Sequence, residues 1–216
     1  SCSRDWSSDV CSSDLPSGLA VGLDASRAML ARAATDAGNA AGRPVFAAGD
    51  GARLPFADGV FAGCRVERTL QHVPVPGAAL AEMARVTRPG GAVVAVEPDW
   101  GTFVVDSSHT VVARRLAEFW CDSFRCGWIG RGLGRLMAEA GLVGIEVVGR
   151  SLVLGELAAA EAVYSLSETA DRAVAAGALT QGAAASFMTE LRRRDAAGTF
   201  FSSLTFFLAR GRKPRT

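Results

Sequence analysis

Three short apolar runs, Val45–Ala48, Val60–Val66 and Ala92–Val96, lie between residues 43 and 100, and the amphipathic segment Gly77–Arg88 precedes the third. No other stretch constrains the fold as strongly. Short apolar runs alternating with helical patterns are the mark of parallel strands joined by crossover helices. The near-continuous apolar character of Ala92–Val96 suits a strand buried on both faces. The first run ends in Gly49-Asp50-Gly51 and the third in Glu97-Pro98-Asp99. Open sheets of this kind bind ligands at the carboxyl ends of their strands. Asp50, Gly51, Glu97, Asp99 and Trp100 are therefore expected at the mouth of a site, where Trp100 either lines a pocket or fills space.

Upstream, Leu19–Leu23 is a further apolar run that ends at Asp24, and Ser26 then opens a helix with Met29, Leu30 and Ala33 at helical spacing. A carboxylate in this place either caps the helix or accepts hydrogen bonds from the two hydroxyls of a ribose. Downstream, helices are expected over His109–Arg125, 135–142, Glu156–Ala176 and Thr180–Arg194. Strands are expected over Ile145–Val148 and Thr199–Ala209, and Gly38–Arg43 reads as a turn. Gly130-Arg131-Gly132-Leu133-Gly134 imitates a glycine-rich nucleotide loop, but no strand pattern precedes it, so it is assigned no such role. Arg192-Arg193-Arg194 is expected to complement a helix dipole in solvent. Cys64 reads as a small buried hydrophobe.

Four segments recur in a family's order and spacing: GLDASRAMLARA (22–33), GDGARLPF (49–56), RTLQHV (68–73) and ARVTRPGGAVVAVEP (84–98). Together they resemble the class I S-adenosylmethionine-dependent methyltransferases, of the type 11-like small-molecule kind, over residues 16–214. The resemblance implies an α/β fold: a Rossmann-like, doubly wound, mostly parallel sheet with a final antiparallel strand. It implies S-adenosyl-L-methionine as cofactor and a small, apolar acceptor of quinone or secondary-metabolite type. By the same resemblance Asp24 would hold the ribose, with Ala25 near the adenine, and Asp50, Gly51 and Ala52 would meet the adenine. Arg65 would lie toward the methionine part. His72 would be a general base, or else a histidine packed at a helix start. Ala62 stands where the family usually has Asp after the Phe. Helical lid segments are expected at about 105–140 and 156–196.

The length of 216 residues suits one α/β domain. Residues 1–15 fit none of these elements. DWSSDVCSSDL (5–15) resembles the translation of a sequencing adapter, and the segment is set aside as a non-native tail. The rest of the chain then carries a net charge of +3 in place of +1, which gives no reason to expect nucleic acid or an anionic membrane as partner. No apolar run reaches the roughly 20 residues of a membrane span. Cys64, Cys121 and Cys126 show no disulfide or CxxC spacing, which points to a reducing cytoplasm. His72 and His109 are too far apart to suggest a metal cluster. The family's first strand, glycine loop and first helix are expected to be missing before residue 16. Removing a central strand deletes ladder hydrogen bonds and buried aliphatics on the scale of a domain's whole stability. Poor folding and weak cofactor binding are therefore expected. Two other readings stand: a nicotinamide-dependent oxidoreductase, which would share the acid after the second strand, and a non-catalytic truncated remnant.

Overall fold

A computed structural model describes residues 20–37 and 44–215. The chain begins with β1 (Val21–Asp24), α1 (Arg27–Asp36) and β2 (Val45–Ala48), a parallel strand–helix–strand unit in register from Val21↔Val45 to Asp24↔Ala48. Ser26 caps α1 as expected, its hydroxyl accepting from the Met29 N–H at 3.3 Å. The expected turn at Gly38–Arg43 and the tail at 1–15 lie outside the described residues.

The second sheet has the order β3-β4-β6-β5, built from β3 (Phe61–Glu67), β4 (Thr87–Val105), β5 (Val143–Leu154) and β6 (Ser202–Arg212). β3 and β4 are parallel, and β6 runs antiparallel to both of its neighbours, β4 and β5. The expected antiparallel closing strand is therefore present. Among the described residues β1 pairs only with β2, and β3 only with β4. Among the described residues, no ladder joins β1 to β3.

Helices α2 (Pro76–Val86) and α4 (Ile129–Glu139) cover one face of this sheet. Leu80, Met83, Leu133 and Met137 pack with Val93, Ala95 and Ala209 to form one core. A second core lies beyond it, among α3 (Thr110–Asp122), α5 (Leu157–Tyr164), α6 (Leu166–Ala175) and α7 (Gln181–Ala196). Trp120, Tyr164, Leu166, Phe187 and Leu191 fill it against Trp100, Phe103 and Leu204 of the sheet. The helical segment expected at about 105–140 therefore divides: α3 joins the second core, while α4 lies on the sheet.

Several boundaries differ from expectation for physical reasons. β4 is far longer than Ala92–Val96. Thr87 already pairs with Phe61 and Ala92 with Gly63, so Arg88–Gly91 bulge out of a ladder that began before the Pro-Gly-Gly. Pro98 is tolerated because β3 ends at Glu67↔Val96, which leaves that side of β4 without a β3 partner. The expected helix 156–176 breaks at Ser165, which takes a left-handed conformation (φ 51°, ψ 50°) between α5 and α6. The Gly130–Gly134 motif lies inside α4, in keeping with the rejection of a nucleotide-loop role.

Candidate functional site

The carboxyl ends of β1 and β2 form the first part of the site. Asp24 ends β1 opposite Ala48, and its backbone carbonyl accepts from Gly49 N–H at 3.1 Å, so Asp24 and Asp50 terminate neighbouring parallel strands. Each carboxylate braces its own turn with one oxygen. Asp24 Oδ1 accepts from Ser26 N–H at 2.7 Å, and Asp50 Oδ1 accepts from Ala52 N–H at 2.9 Å. Both side chains are exposed, so the second oxygen of each is available to a ligand. Space is also available: a Cβ placed on Gly51 would meet nothing within 4 Å. Asp24, Ala25, Asp50, Gly51 and Ala52 are thus gathered at one end of the β1–β2 pair. A carboxylate at each of two adjacent strand ends, beside open backbone, fits the ribose and adenine of a nucleoside.

Arg65 and His72 belong to the other sheet. Arg65, within β3, forms an ion pair with Glu67 of the same strand. His72 follows the turn that leaves β3; it is exposed, with its ring 5.7 Å from that of Phe124. Partial burial lowers its pKa below the usual histidine value, which favours the neutral, proton-accepting form.

Beneath this turn the structure corrects an expectation. Glu97, Asp99 and Trp100 do not open onto a site mouth: their exposures are 0%, 0% and 7%, and each is committed to a protein partner. Glu97 Oε1 accepts from the N–H groups of Thr69 and Leu70 at 2.8 and 2.7 Å, and its Oε2 is buried without a partner. Burial pushes the Glu97 carboxyl up to about 7 against the pull of those N–H groups. Asp99 forms a two-pronged pair with Arg131 at the start of α4 (Nε–Oδ2 2.5 Å, Nη2–Oδ1 2.7 Å), and the Arg131 guanidinium lies 4.1 Å from the Trp128 ring centroid. Trp100 donates its indole N–H to Gln71 Oε1 at 2.5 Å and stacks on Phe124, with centroids 4.6 Å apart. These side chains hold the 68–72 turn to β4 and α4 from below. The hydrogen bonds that tie them to other elements span 27–32 residues of sequence, beyond the reach of a local pattern.

Arg194 likewise departs from a simple solvated role. It bonds Glu190 Oε1 at 3.0 Å and pairs with Asp106, while the Ser107 hydroxyl donates to Glu190 Oε2 at 2.6 Å. Burial works to raise the Glu190 carboxyl, but Ser107, Ser108 and Arg194 hold it down at about 2. Two shallow cavities of about 440 and 450 Å³ lie elsewhere, beside His109, Glu190 and Arg193, and beside Gly90, Arg212 and Lys213. Among the described residues no cluster of His, Cys, Asp or Glu could hold a metal ion, and no helix is long and apolar enough to cross a membrane.

Residues 6–95 match a protein-family model described as a methyltransferase domain. The match begins inside the 1–15 segment set aside as a tail. A crystal structure described as a methyltransferase, from Bacillus halodurans C-125, superposes with a TM-score of 0.57 at 17% identity, covering 90% of this chain and 82% of that one. The fold is the class I methyltransferase fold. An uncharacterized 37.1 kDa protein in transposon TN4556 of Streptomyces fradiae is 38% identical over 194 residues, which is 89% of this chain and 55% of that protein. A demethylmenaquinone methyltransferase of Beutenbergia cavernae is 49% identical over 61 residues, 27% of this chain and 25% of that enzyme. The chain thus spans about half the length of the first relative and a quarter of the second.

Proposed function

We propose that the protein catalyses S-adenosyl-L-methionine-dependent methyl transfer to a small, apolar acceptor. The observation that carries this reading is the pair Asp24 and Asp50 at adjacent strand ends, each using one oxygen on its own turn and leaving the other for a nucleoside. Asp24 would take the ribose hydroxyls, and Asp50 the adenine amino group, with Ala25, Gly51 and Ala52 admitting the flat ring. Arg65 is the candidate for the methionine end. The local 49% identity with a demethylmenaquinone methyltransferase supports a ring-bearing, apolar acceptor.

When bound, the cofactor supplies a methyl group on a positively charged sulfur. An electron pair of the acceptor, on oxygen or on a ring carbon, would take that carbon as the carbon–sulfur bond gave its electrons to sulfur. The protein's part is alignment and exclusion of water. The braced 68–72 turn places His72 at the rim of β3, where its neutral ring accepts the proton of an acceptor hydroxyl or ring carbon that must lose one.

Isothermal titration with S-adenosylhomocysteine tests the reading, followed by transfer of labelled methyl from S-adenosylmethionine to demethylated naphthoquinols, held in the reduced form by added dithionite. Binding that Asp50→Ala weakens by about ten- to a hundredfold, together with acceptor labelling, is the expected result. Binding of a nicotinamide dinucleotide in place of S-adenosylhomocysteine would overturn it.

A further inference from the structure

The outer strand of the four-stranded sheet is unlike a protected edge. β5 is 12 residues long, VGIEVVGRSLVL, and among the described residues β6 is its only partner. Val143, Val147, Val148 and Val153 are 52, 45, 43 and 56% exposed. Soluble proteins blunt such edges with charged residues (lysine above all), proline, bulges or very short strands, and the one bulge of β5 is confined to its start, between Val143 and Glu146. β5 has no lysine or proline, and its ladder to β6 runs without interruption from Glu146 to Leu154.

Its only charged residues are Glu146 and Arg150. Both are exposed, they lie on the same face of the strand, and among the described residues neither forms an ion pair. The Arg150 guanidinium donates to the Gly149 carbonyl at 3.2 Å. Two-fold antiparallel pairing of β5 with a second β5, centred on Val148, sets Glu146 against the partner's Arg150 and Arg150 against the partner's Glu146. The same register sets Val148 against itself and Val147 against the partner's Gly149. Centring on Glu146 or on Arg150 opposes like charges, and the intermediate centres leave both charges facing apolar residues. Parallel in-register pairing also sets like on like. Opposite charges directly across a ladder stabilise pairing and like charges weaken it, so one register is selected.

We propose that the β5 edge is a homodimer interface, in which two copies of this chain join their sheets antiparallel about Val148 into one continuous eight-stranded sheet. The two Glu146–Arg150 pairs fix the register, and the Val148 side chains of the two copies meet at its centre.

Sedimentation velocity over a range of concentrations tests this, with charge-reversal variants. The native chain is expected to dimerise. Arg150→Glu is the cleaner single reversal, because the β6 neighbour of Arg150 is Phe206, whereas that of Glu146 is Arg210. It turns two attractive pairs into two repulsive ones and should weaken dimerisation by about tenfold or more. Glu146→Arg should do the same. Mixing the two variants should restore association as a heterodimer, because every Arg then meets a Glu. Circular dichroism identical to that of the native chain shows that the variants fold. A native chain that stays monomeric, a dimer indifferent to both reversals, or a mixture that fails to associate would each overturn the proposal.

Discussion

Two carboxylates near the strand ends behave in opposite ways, and the difference is one of surroundings. Asp50 is exposed and bonded only to its own turn. Replacing it with Ala should leave the fold intact and remove a charge-assisted hydrogen bond to the ligand, worth roughly 1.5–3 kcal/mol. Titration calorimetry should then show S-adenosylhomocysteine binding weakened by about ten- to a hundredfold, and undiminished affinity would remove Asp50 from the site. Glu97 is fully buried, and its carboxyl is raised from 4.5 to about 7 by burial. The folded protein therefore holds the Glu97 proton more tightly than the unfolded chain does. Its contribution to stability is complete below pH 4.5 and is lost as pH rises through about 7, a change on the order of 3 kcal/mol. Glu97→Gln keeps an acceptor for Thr69 and Leu70 but cannot titrate. Urea unfolding at pH 5 and pH 8 should show a larger stability difference in the native chain than in this variant; equal differences would mean that Glu97 is not the titrating group.

At the scale of elements, the sequence was most legible where the signal is local. The Ser26 cap, the stripe of α2 and the apolar runs of β2 and β3 each follow from residues a few positions apart. So do Asp24 and Asp50, because a strand end is itself a local feature. The buried braces could not be read in this way, since the partners of Glu97, Asp99 and Trp100 arrive from other elements. The break at Ser165 was also hidden, because no glycine or proline marks it. A left-handed L-residue costs about 1–2 kcal/mol, and the greater unfolded-state freedom of glycine takes back about 0.4–1 kcal/mol, so Ser165→Gly should stabilise by up to about 1 kcal/mol; a lowered melting temperature would show that the hydroxyl matters more than the backbone. Gly91 is a contrasting case within the β4 bulge. A Cβ there would lie 2.6 Å from the Ala62 carbonyl oxygen and 2.6 Å from Thr87 Cγ2. Backbone on one side and the packed strand on the other leave little room to yield, so Gly91→Ala should destabilise by about 1–3 kcal/mol, read as a lower urea midpoint with an unchanged slope.

For the molecule as a whole, burial is divided unevenly between the two halves of the candidate site. The four-stranded sheet and its helices hold both hydrophobic cores. The β1–α1–β2 unit, which carries Asp24 and Asp50, contains no fully buried residue, and Met29 and Val45 are 57% and 52% exposed. Its backbone ladder is short, and among the described residues only β2 pairs with β1. Local opening costs least where few apolar contacts oppose it, so this unit should open far more readily than the β4–β6 ladder. Hydrogen–deuterium exchange should show amides of residues 21–36 and 45–48 exchanging at least about a hundredfold faster than those of 92–99 and 204–211, a gap of roughly 3 kcal/mol in opening energy. A ligand that binds only the closed form raises that opening energy by mass action. Saturating S-adenosylhomocysteine should therefore slow exchange around Asp24 and Asp50 and leave the β4–β6 ladder nearly unchanged. Uniform protection without ligand would show that the nucleoside-binding half is held as firmly as the core. Slowing confined to the β4–β6 ladder would place the ligand elsewhere.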